Sequence, residues 1–443
     1  MLGNFMQRTL ISDTTKKIDH SVKISGWVKT RRDHGKIIFI DLRDRSGVLQ
    51  CVITPETENY EETKKLRPQW VVNFVGKIKE RPEKLTNPDM ATGKIEMEVR
   101  KFEILSEAHE LPIDISLGDM NLHIETLLDY RNLSIRNEKI GAIFKVYDEV
   151  LKSYTAYLHS QNFLEIKTPK LLSACTEGGA EFFKVKYFEK EAYLAQSPQF
   201  YKQAAVGAFE RVFEIGSVFR AEPHFTSRHI NEFVGLDAEM GFIDGPEDVM
   251  SALEETMKFI LKNVKNKCGE ELEVYSADVK IPEKFPRIKF SEALKILEKE
   301  FGKKMEGQDI DPEGERLISE WAEKERGSDF IFLTNYPWSI RPMYIMPDPE
   351  NPKETLGFDL LYRGVEIASG GQRIHDHDQL VENIKKKKLD PDDFQSYLEI
   401  FRYGMPPHGG WGLGSERIVQ KILGLKSVKE AILFPRDVKR LTP

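Results

Sequence analysis

The apolar residues change period once along the chain, near residue 140, and that change limits the folds open to it. Between about residues 20 and 105 they fall in short β-like segments, VKISGWVK, IIFIDLR, GVLQCVI, WVVNFVGKI and IEMEVRKFEIL. Turns separate these segments, and one helix-like stretch from Tyr60 to Leu66 interrupts them. Five strands with an embedded helix predict a small Greek-key barrel of the OB type. Further on, Ile143, Phe144, Tyr147, Val150, Leu151, Tyr154 and Leu158 recur at helical spacing and make one apolar stripe. That helix is expected to end near Gln161 and Asn162, and FLEIKTP follows as a strand stopped by Pro169. Strand-like runs then alternate with helices, and the stretch from about 246 to 324 is mostly helical and charged. The expectation is an α+β chain with a barrel over 1–105, a hinge over 106–139, and a second domain over 140–443 carrying a helical insertion at about 246–324.

At 443 residues the chain is long enough for two or three cores. Its net charge of −7 argues against a protein that coats nucleic acid indiscriminately. Locally the balance reverses, since residues 1–50 carry ten Lys/Arg against five Asp. The three cysteines, Cys51, Cys175 and Cys268, stand too far apart for a zinc site or a disulfide framework. No run approaches the roughly 20 apolar residues of a membrane span, and the start MLGNFMQRTL is short and polar for a signal peptide. A cytoplasmic protein with no membrane partner is the expectation.

Two stretches carry chemistry. In RVFEIGSVFRAEPHFTSRHINEF, apolar strands flank a polar loop that gathers Arg220, Glu222 and Arg228. Such a hairpin can hold a guanidinium against a phosphate while a carboxylate reads an adjacent amine or ring. In HGGWGLGSERIV a strand runs into a helix through four glycines, with Arg417 on the first turn. Glycines let the backbone approach a planar or anionic ligand, and the helix N-terminus favours negative charge.

Together these stretches resemble motifs 2 and 3 of the class II aminoacyl-tRNA synthetases, FRxE-loop-RHxxEF and GxGxER, and the helix ending at Pro169 resembles motif 1. All three occur in that family's order. The resemblance implies a catalytic domain built on an antiparallel β-sheet flanked by helices, a homodimer formed through motif 1, and ATP bound by Arg220, Ala221, Glu222, Arg228, His229, Ile230, Glu366, Gly414, Ser415, Glu416 and Arg417. Arg220, Glu222 and Arg417 are the residues it makes catalytic.

The segments TEGGAEFF, AQSPQFYKQ and FDLLYRGVEIASGGQRIHD resemble the aspartyl branch of the family. By that resemblance Lys202 and Arg373 hold the side-chain carboxylate of L-aspartate, Glu177 and Gln199 its backbone, and Ser369 makes a further contact. Two cations suit a carboxylate and leave donors facing donors with asparagine. Gly178 and Gly179 beside Glu177 would give a closing loop its freedom. Asp359 and Glu366, with Ser369, are the implied magnesium site, since Mg²⁺ takes one or two carboxylates and completes its shell with phosphate and water. The motif 2 loop departs from the archaeal pattern at Pro223 and Phe225. Asparaginyl-tRNA synthetase and an aspartate–ammonia ligase on the same catalytic fold are the competing readings. Lys202 and Arg373 count against the first, and the barrel counts against the second.

In the barrel, strand alternation puts Ile38, Ile40 and Leu42 on one face and Phe39, Asp41 and Arg43 on the other, with Gln50 outward and across from Phe39. An outward aromatic beside Arg31 and Arg32 is how OB folds stack single-stranded bases, although a Phe covered by a neighbouring loop would look the same in sequence. The resemblance makes Phe39 and Gln50 readers of the middle anticodon base and Arg32 a further contact. His34 is expected near the third base, where its resemblance is to enzymes charging both tRNA(Asp) and tRNA(Asn).

Overall fold

Alternating apolar residues over 21–106 fold into five strands, β1 Ser21–His34, β2 Ile37–Asp44, β3 Gly47–Ile53, β4 Val71–Glu80 and β5 Ile95–Ser106, with a helical turn α1, Tyr60–Thr63, between β3 and β4. In the computed structural model, which describes residues 6–173, 182–223, 226, 228–305 and 307–443, they close a barrel in the order β1-β2-β3-β5-β4. Ile38, Ile40, Leu42, Leu49, Cys51 and Ile53 are buried in its core, while Phe39 and Asp41 are half-buried on the outer face. The predicted alternation is realised. One detail differs: Gln50 pairs with Asp41 and Phe39 with Val52, so Phe39 and Gln50 are diagonal neighbours rather than directly opposite.

The chain divides into two units, Met1–Met120 and Asn121–Pro443. The second opens with α2 Ile124–Asp129 and α3 Arg131–Ser134. Arg131 is buried, and its guanidinium donates to the carbonyls of Glu430, Ile432 and Leu433 in the C-terminal segment. The periodic helix is α4, Glu138–Ser160; the Asn137 side chain caps it by accepting from the N–H groups of Lys139 and Ile140. Then follow β6 Leu164–Glu165, β7 Leu171–Leu172, β8 Lys184–Tyr187, β9 Lys190–Leu194, α5 Gln199–Phe209, β10 Arg211–Phe219, β11 Glu232–Gly241, α6 Pro246–Lys267, α7 Gly269–Val274, β12 Arg287–Lys289, α8 Phe290–Phe301, α9 Pro312–Arg326, β13 Phe330–Thr334, β14 Gly357–Tyr362, β15 Val365–Gln372, α10 His377–Lys386, α11 Gln395–Leu398, β16 His408–Gly414 and α12 Ser415–Leu423.

The main sheet has the order β12-β13-β14-β15-β16-β11-β10-β6. Its six central strands are antiparallel as expected, but β12 joins β13 and β6 joins β10 in parallel, so the whole sheet is mixed. One face carries Leu236, Ala238, Trp411 and Leu413 into a core shared with apolar residues of α4, α6 and α12. Alternation turns the intervening residues to the other face. There the register sets Asp359 opposite Ser369, Ser369 opposite Gly412, and Gly412 opposite Asp237, with Gly410 opposite Glu239 one step along. Within the stretch 246–324, α6 packs on β15 and β16, whereas α8 and α9 share a separate apolar cluster with β12 and β13. No helix among the described residues is long and apolar enough to cross a membrane.

Candidate active site

The polar face of the main sheet is the floor of a cavity of about 260 Å³. Gln199, Lys202, Arg220, Glu222, Arg228, His229, Ile230, Glu366, Ser369, Arg373, Gly414, Glu416 and Arg417 all line it. Residues singled out from four separate stretches of sequence are thus brought together. Glu177, Gly178, Gly179 and Phe225 lie outside the described residues.

At one end the floor holds four buried charges. Lys202, on the first turn of α5, donates to Asp237 Oδ1 at 3.0 Å and to the Trp411 carbonyl at 2.9 Å, and lies 3.4 Å from Glu239 Oε2. Arg373 donates through Nε to Glu239 Oε1 at 2.8 Å and through Nη2 to the Gly410 carbonyl at 3.0 Å. Burial would push the Glu239 carboxyl up, but Arg373 and Lys202 outweigh it and hold it below the ordinary carboxylate range. For Asp237 burial is the larger effect and raises it despite Lys202. Gly410 is required here, because a Cβ on it would stand 2.3 Å from Glu239 Oε2 and 2.1 Å from the Ala238 carbonyl. Gln199 is fixed by donating to Gln203 Oε1 at 3.0 Å.

The β10–β11 hairpin supplies the next group. Its loop is pinned by Asn231, whose side chain donates to the carbonyls of Arg220 and Glu222 while its backbone bonds Arg220 and Arg436. The Arg220 guanidinium lies over the Phe233 ring, 5.3 Å from its centroid, and 3.7 Å from Glu222 Oε1. His229 Nε2 is 3.6 Å from the other oxygen of Glu222. Arg228 reaches across to Glu315 Oε2 at 2.8 Å and to the Gly364 carbonyl at 2.6 Å. Ala221 does not line the cavity.

Where β16 meets α12, Arg417 donates to the Glu366 carbonyl at 2.7 Å and faces its carboxylate at 4.0 Å. Ser415 and Glu416 turn inward instead. Glu416 Oε1 accepts from the Val234 N–H and the Tyr147 hydroxyl, and Ser415 Oγ bonds the Val234 carbonyl, fixing β11 and α4 against the helix start.

The two acids on β14 and β15 have different partners. Asp359 Oδ2 accepts from Arg341 Nη2 at 2.7 Å, while its buried Oδ1 meets no donor among the described residues. Arg341 also donates to Ser369 Oγ at 3.1 Å and stacks on Tyr336, 3.7 Å from the ring centroid. The Glu366 carboxyl is pushed up to about 7, first by burial and then by Asp359 and Glu315, against the opposing pull of Arg417 and Arg341. No cluster of three or more His, Cys, Asp or Glu able to hold a metal occurs among the described residues.

Residues 123–438 match the family described as tRNA synthetases class II (D, K and N), and residues 22–105 match the OB-fold nucleic acid binding domain. The chain is a class II tRNA synthetase of that group. Among its relatives, the aspartate–tRNA(Asp/Asn) ligase of Deinococcus radiodurans is 43% identical, with 99% of each chain covered. The aspartate–tRNA(Asp) ligase of Pyrococcus abyssi is 41% identical, with 98% of each covered. A solved structure of the Pyrococcus horikoshii asparaginyl-tRNA synthetase, complexed with asparaginyl-adenylate, is similar with a TM-score of 0.90 and 34% identity, over 99% of this chain and 100% of that one.

The outer face of the synthetase's barrel carries a second set of polar contacts. Arg32 Nη2 donates to both oxygens of Asp41, at 3.1 and 3.2 Å, and reaches Gln50 Oε1 at 3.4 Å. Gln50 Nε2 donates to Glu96 at 3.1 Å, which orients its amide. His34 meets the Phe39 ring edge-on, with centroids 5.6 Å apart. The four residues expected on this face therefore stand on it together.

Sequence reasoning missed Asp237, Glu239, Arg341 and Glu315. The first two had a signal, two acids spaced by one residue in the otherwise apolar strand VGLDAEMG. Arg341 lies in a loop and Glu315 in a charged helix, where no periodicity marks them.

Proposed function

We propose that this synthetase is an aspartate–tRNA ligase, which activates L-aspartate with ATP and transfers it to the 3′ end of tRNA(Asp) and, as a non-discriminating enzyme, of tRNA(Asn). The observation that carries the amino-acid choice is the convergence of Lys202 and Arg373 on Glu239, at one end of the cavity that Arg220 and Arg417 also line. The substrate's side-chain carboxylate would take bonds from these two cations, and its ammonium would face the Asp237 carboxyl. The relatives named as aspartate–tRNA ligases support this reading over the asparaginyl one.

ATP would lie between Arg220, stacked on Phe233, and Arg417, with its distal phosphates toward Arg228. The aspartate α-carboxylate oxygen attacks the α-phosphorus, a new O–P bond forms, and the bond to pyrophosphate breaks. No protein nucleophile is required, because arginines held in a cavity stabilise the developing charge. The tRNA 3′-terminal hydroxyl then attacks the aspartyl carbonyl and displaces AMP. Glu366, which lines the cavity, and Asp359 behind it, whose buried Oδ1 meets no donor among the described residues, would hold Mg²⁺. When bound, the ion would neutralise phosphate charge.

Dimerisation through motif 1 has its support in Leu164 on the edge strand β6 and Leu171 on β7, which leave 45% and 48% of their surfaces exposed. The site of action would be the cytoplasm. ATP–pyrophosphate exchange with aspartate, asparagine and lysine in parallel tests the assignment. Exchange with aspartate alone is expected, and exchange with asparagine instead would overturn it.

A further inference from the structure

Glu315 stands outside every motif of the sequence and does not line the cavity, yet its carboxylate holds Arg228, which does. It sits on the first turn of α9, where Asp311 caps the helix by accepting from the Gly314 N–H at 2.7 Å. The turn is tightly built: a Cβ on Gly314 would stand 2.6 Å from Ile310 Cγ2. From this base Glu315 Oε2 takes Arg228 Nη2 at 2.8 Å and the Glu366 N–H at 3.4 Å, with 16% of its side chain exposed. Arg228 Nη2 is shared with the Gly364 carbonyl in the β14–β15 turn, so Nη1 takes part in neither contact. Burial raises the Glu315 carboxyl, and the nearby Arg228 and Arg417 oppose that rise.

An arginine at the end of a surface loop has several rotatable bonds to fix before it can hold a phosphate, and fixing them costs entropy at the moment of binding. A carboxylate on a rigid helix turn removes that cost in advance. We infer that Glu315 is a positioning residue, which holds Arg228 extended over the cavity so that Nη1 is presented to the distal phosphates of ATP. The inference rests on the ATP reading of Arg228 given above. It also gives α9, which shares an apolar cluster with α8, β12 and β13, an indirect part in nucleotide binding.

The test compares wild type with Glu315→Gln, Glu315→Ala, Arg228→Ala and the double alanine variant, by aspartate-dependent ATP–pyrophosphate exchange and by equilibrium binding of ATP and AMP. Glu315→Ala should raise the KM for ATP about as much as Arg228→Ala, by tenfold or more, with kcat within threefold of wild type and AMP affinity unchanged. Glu315→Gln, which keeps the reach but loses the charge, should fall between. The double variant should be no worse than Arg228→Ala alone. Multiplying effects in the double variant, or AMP binding lost in step with ATP, would overturn the positioning role. A silent Glu315→Ala beside a damaged Arg228→Ala would overturn it while sparing the ATP reading, whereas a silent Arg228→Ala would remove both.

Discussion

Arg373 and Glu239 form a buried two-point ion pair, with Nε 2.8 Å from Oε1, Nη2 3.4 Å from Oε2, and 3% and 0% of the two side chains exposed. Lys202 adjoins the same carboxylate. The cations proposed to select the substrate are thus the counter-ions of two acids in the floor, and on that proposal binding and folding share these residues.

Substitution of Arg373 should show both effects. Arg373→Leu leaves Glu239 with Lys202 alone, and breaking a buried pair costs about 3–5 kcal/mol. The variant is expected to melt well below wild type and to lose aspartate-dependent exchange. Arg373→Lys keeps the charge but cannot make both contacts, so it should fold nearly normally while the KM for aspartate rises tenfold or more. A lysine variant with wild-type KM would remove Arg373 from the pocket.

Protonation of Glu366 should govern magnesium-dependent ATP binding. Its carboxyl, raised by burial to about 7, is mostly protonated at pH 6 and mostly ionised at pH 8. The ion needs the ionised form, so affinity for Mg²⁺·ATP should rise roughly tenfold over that interval. In the ligand-free protein the same shift has the opposite sign: an acid raised above its unfolded value contributes stability at low pH that is lost as pH rises through about 7. Titration calorimetry at pH 6, 7 and 8 in two buffers checks this, because binding at pH 7 should release about half a proton from this carboxyl. Equal affinity at all three values, or an unchanged profile in Glu366→Gln, would count against it.

Both periodicities were legible because each is imposed by a buried face: Ile38, Ile40 and Leu42 fill the barrel, and Ile143, Val150 and Tyr154 fill the groove against the sheet. The glycines of β16 were also legible, since Gly410 has no room for a side chain. What the residues alone could not give is which charges meet. Asp237 and Glu239 are 35 and 37 positions from Lys202, and Glu315 is 87 from Arg228, so only the sheet register and the placing of α9 join them. The sheet's parallel edges were only half legible: β6 falls within the strand read from FLEIKTP, but nothing marked its parallel pairing, and β12, three residues long, carries no period of its own.

Phe39 should act on tRNA and not on amino-acid activation. It is half-buried on the outer barrel face, beside His34 and the Arg32–Asp41–Gln50 contacts. Loss of a stacking ring costs about 1–3 kcal/mol per base. Phe39→Ala is expected to raise the KM for tRNA while leaving tRNA-independent exchange unchanged. Equal damage to both activities would make Phe39 a packing residue of the barrel.

His34 bears on which tRNAs are charged. It ends β1 at a tight turn, where Gly35 takes a φ of +64° and His34 pairs with Ile37, and its exposed ring stands edge-on to Phe39. A base stacked on Phe39 would bring its neighbour to this imidazole, and the third anticodon base is the one at which tRNA(Asp) and tRNA(Asn) differ. Imidazole can donate or accept a hydrogen bond according to its tautomer, so it can tolerate either base, whereas an apolar side chain satisfies neither edge and rewards the better-stacked one. The two relatives described above divide on this point, one named for both tRNAs and one for tRNA(Asp). The wild-type synthetase is expected to aspartylate purified tRNA(Asp) and tRNA(Asn) with comparable kcat/KM, and His34→Leu to narrow the choice to tRNA(Asp). A wild-type preference for tRNA(Asp) above about a hundredfold, roughly 2.7 kcal/mol, would sink the proposal.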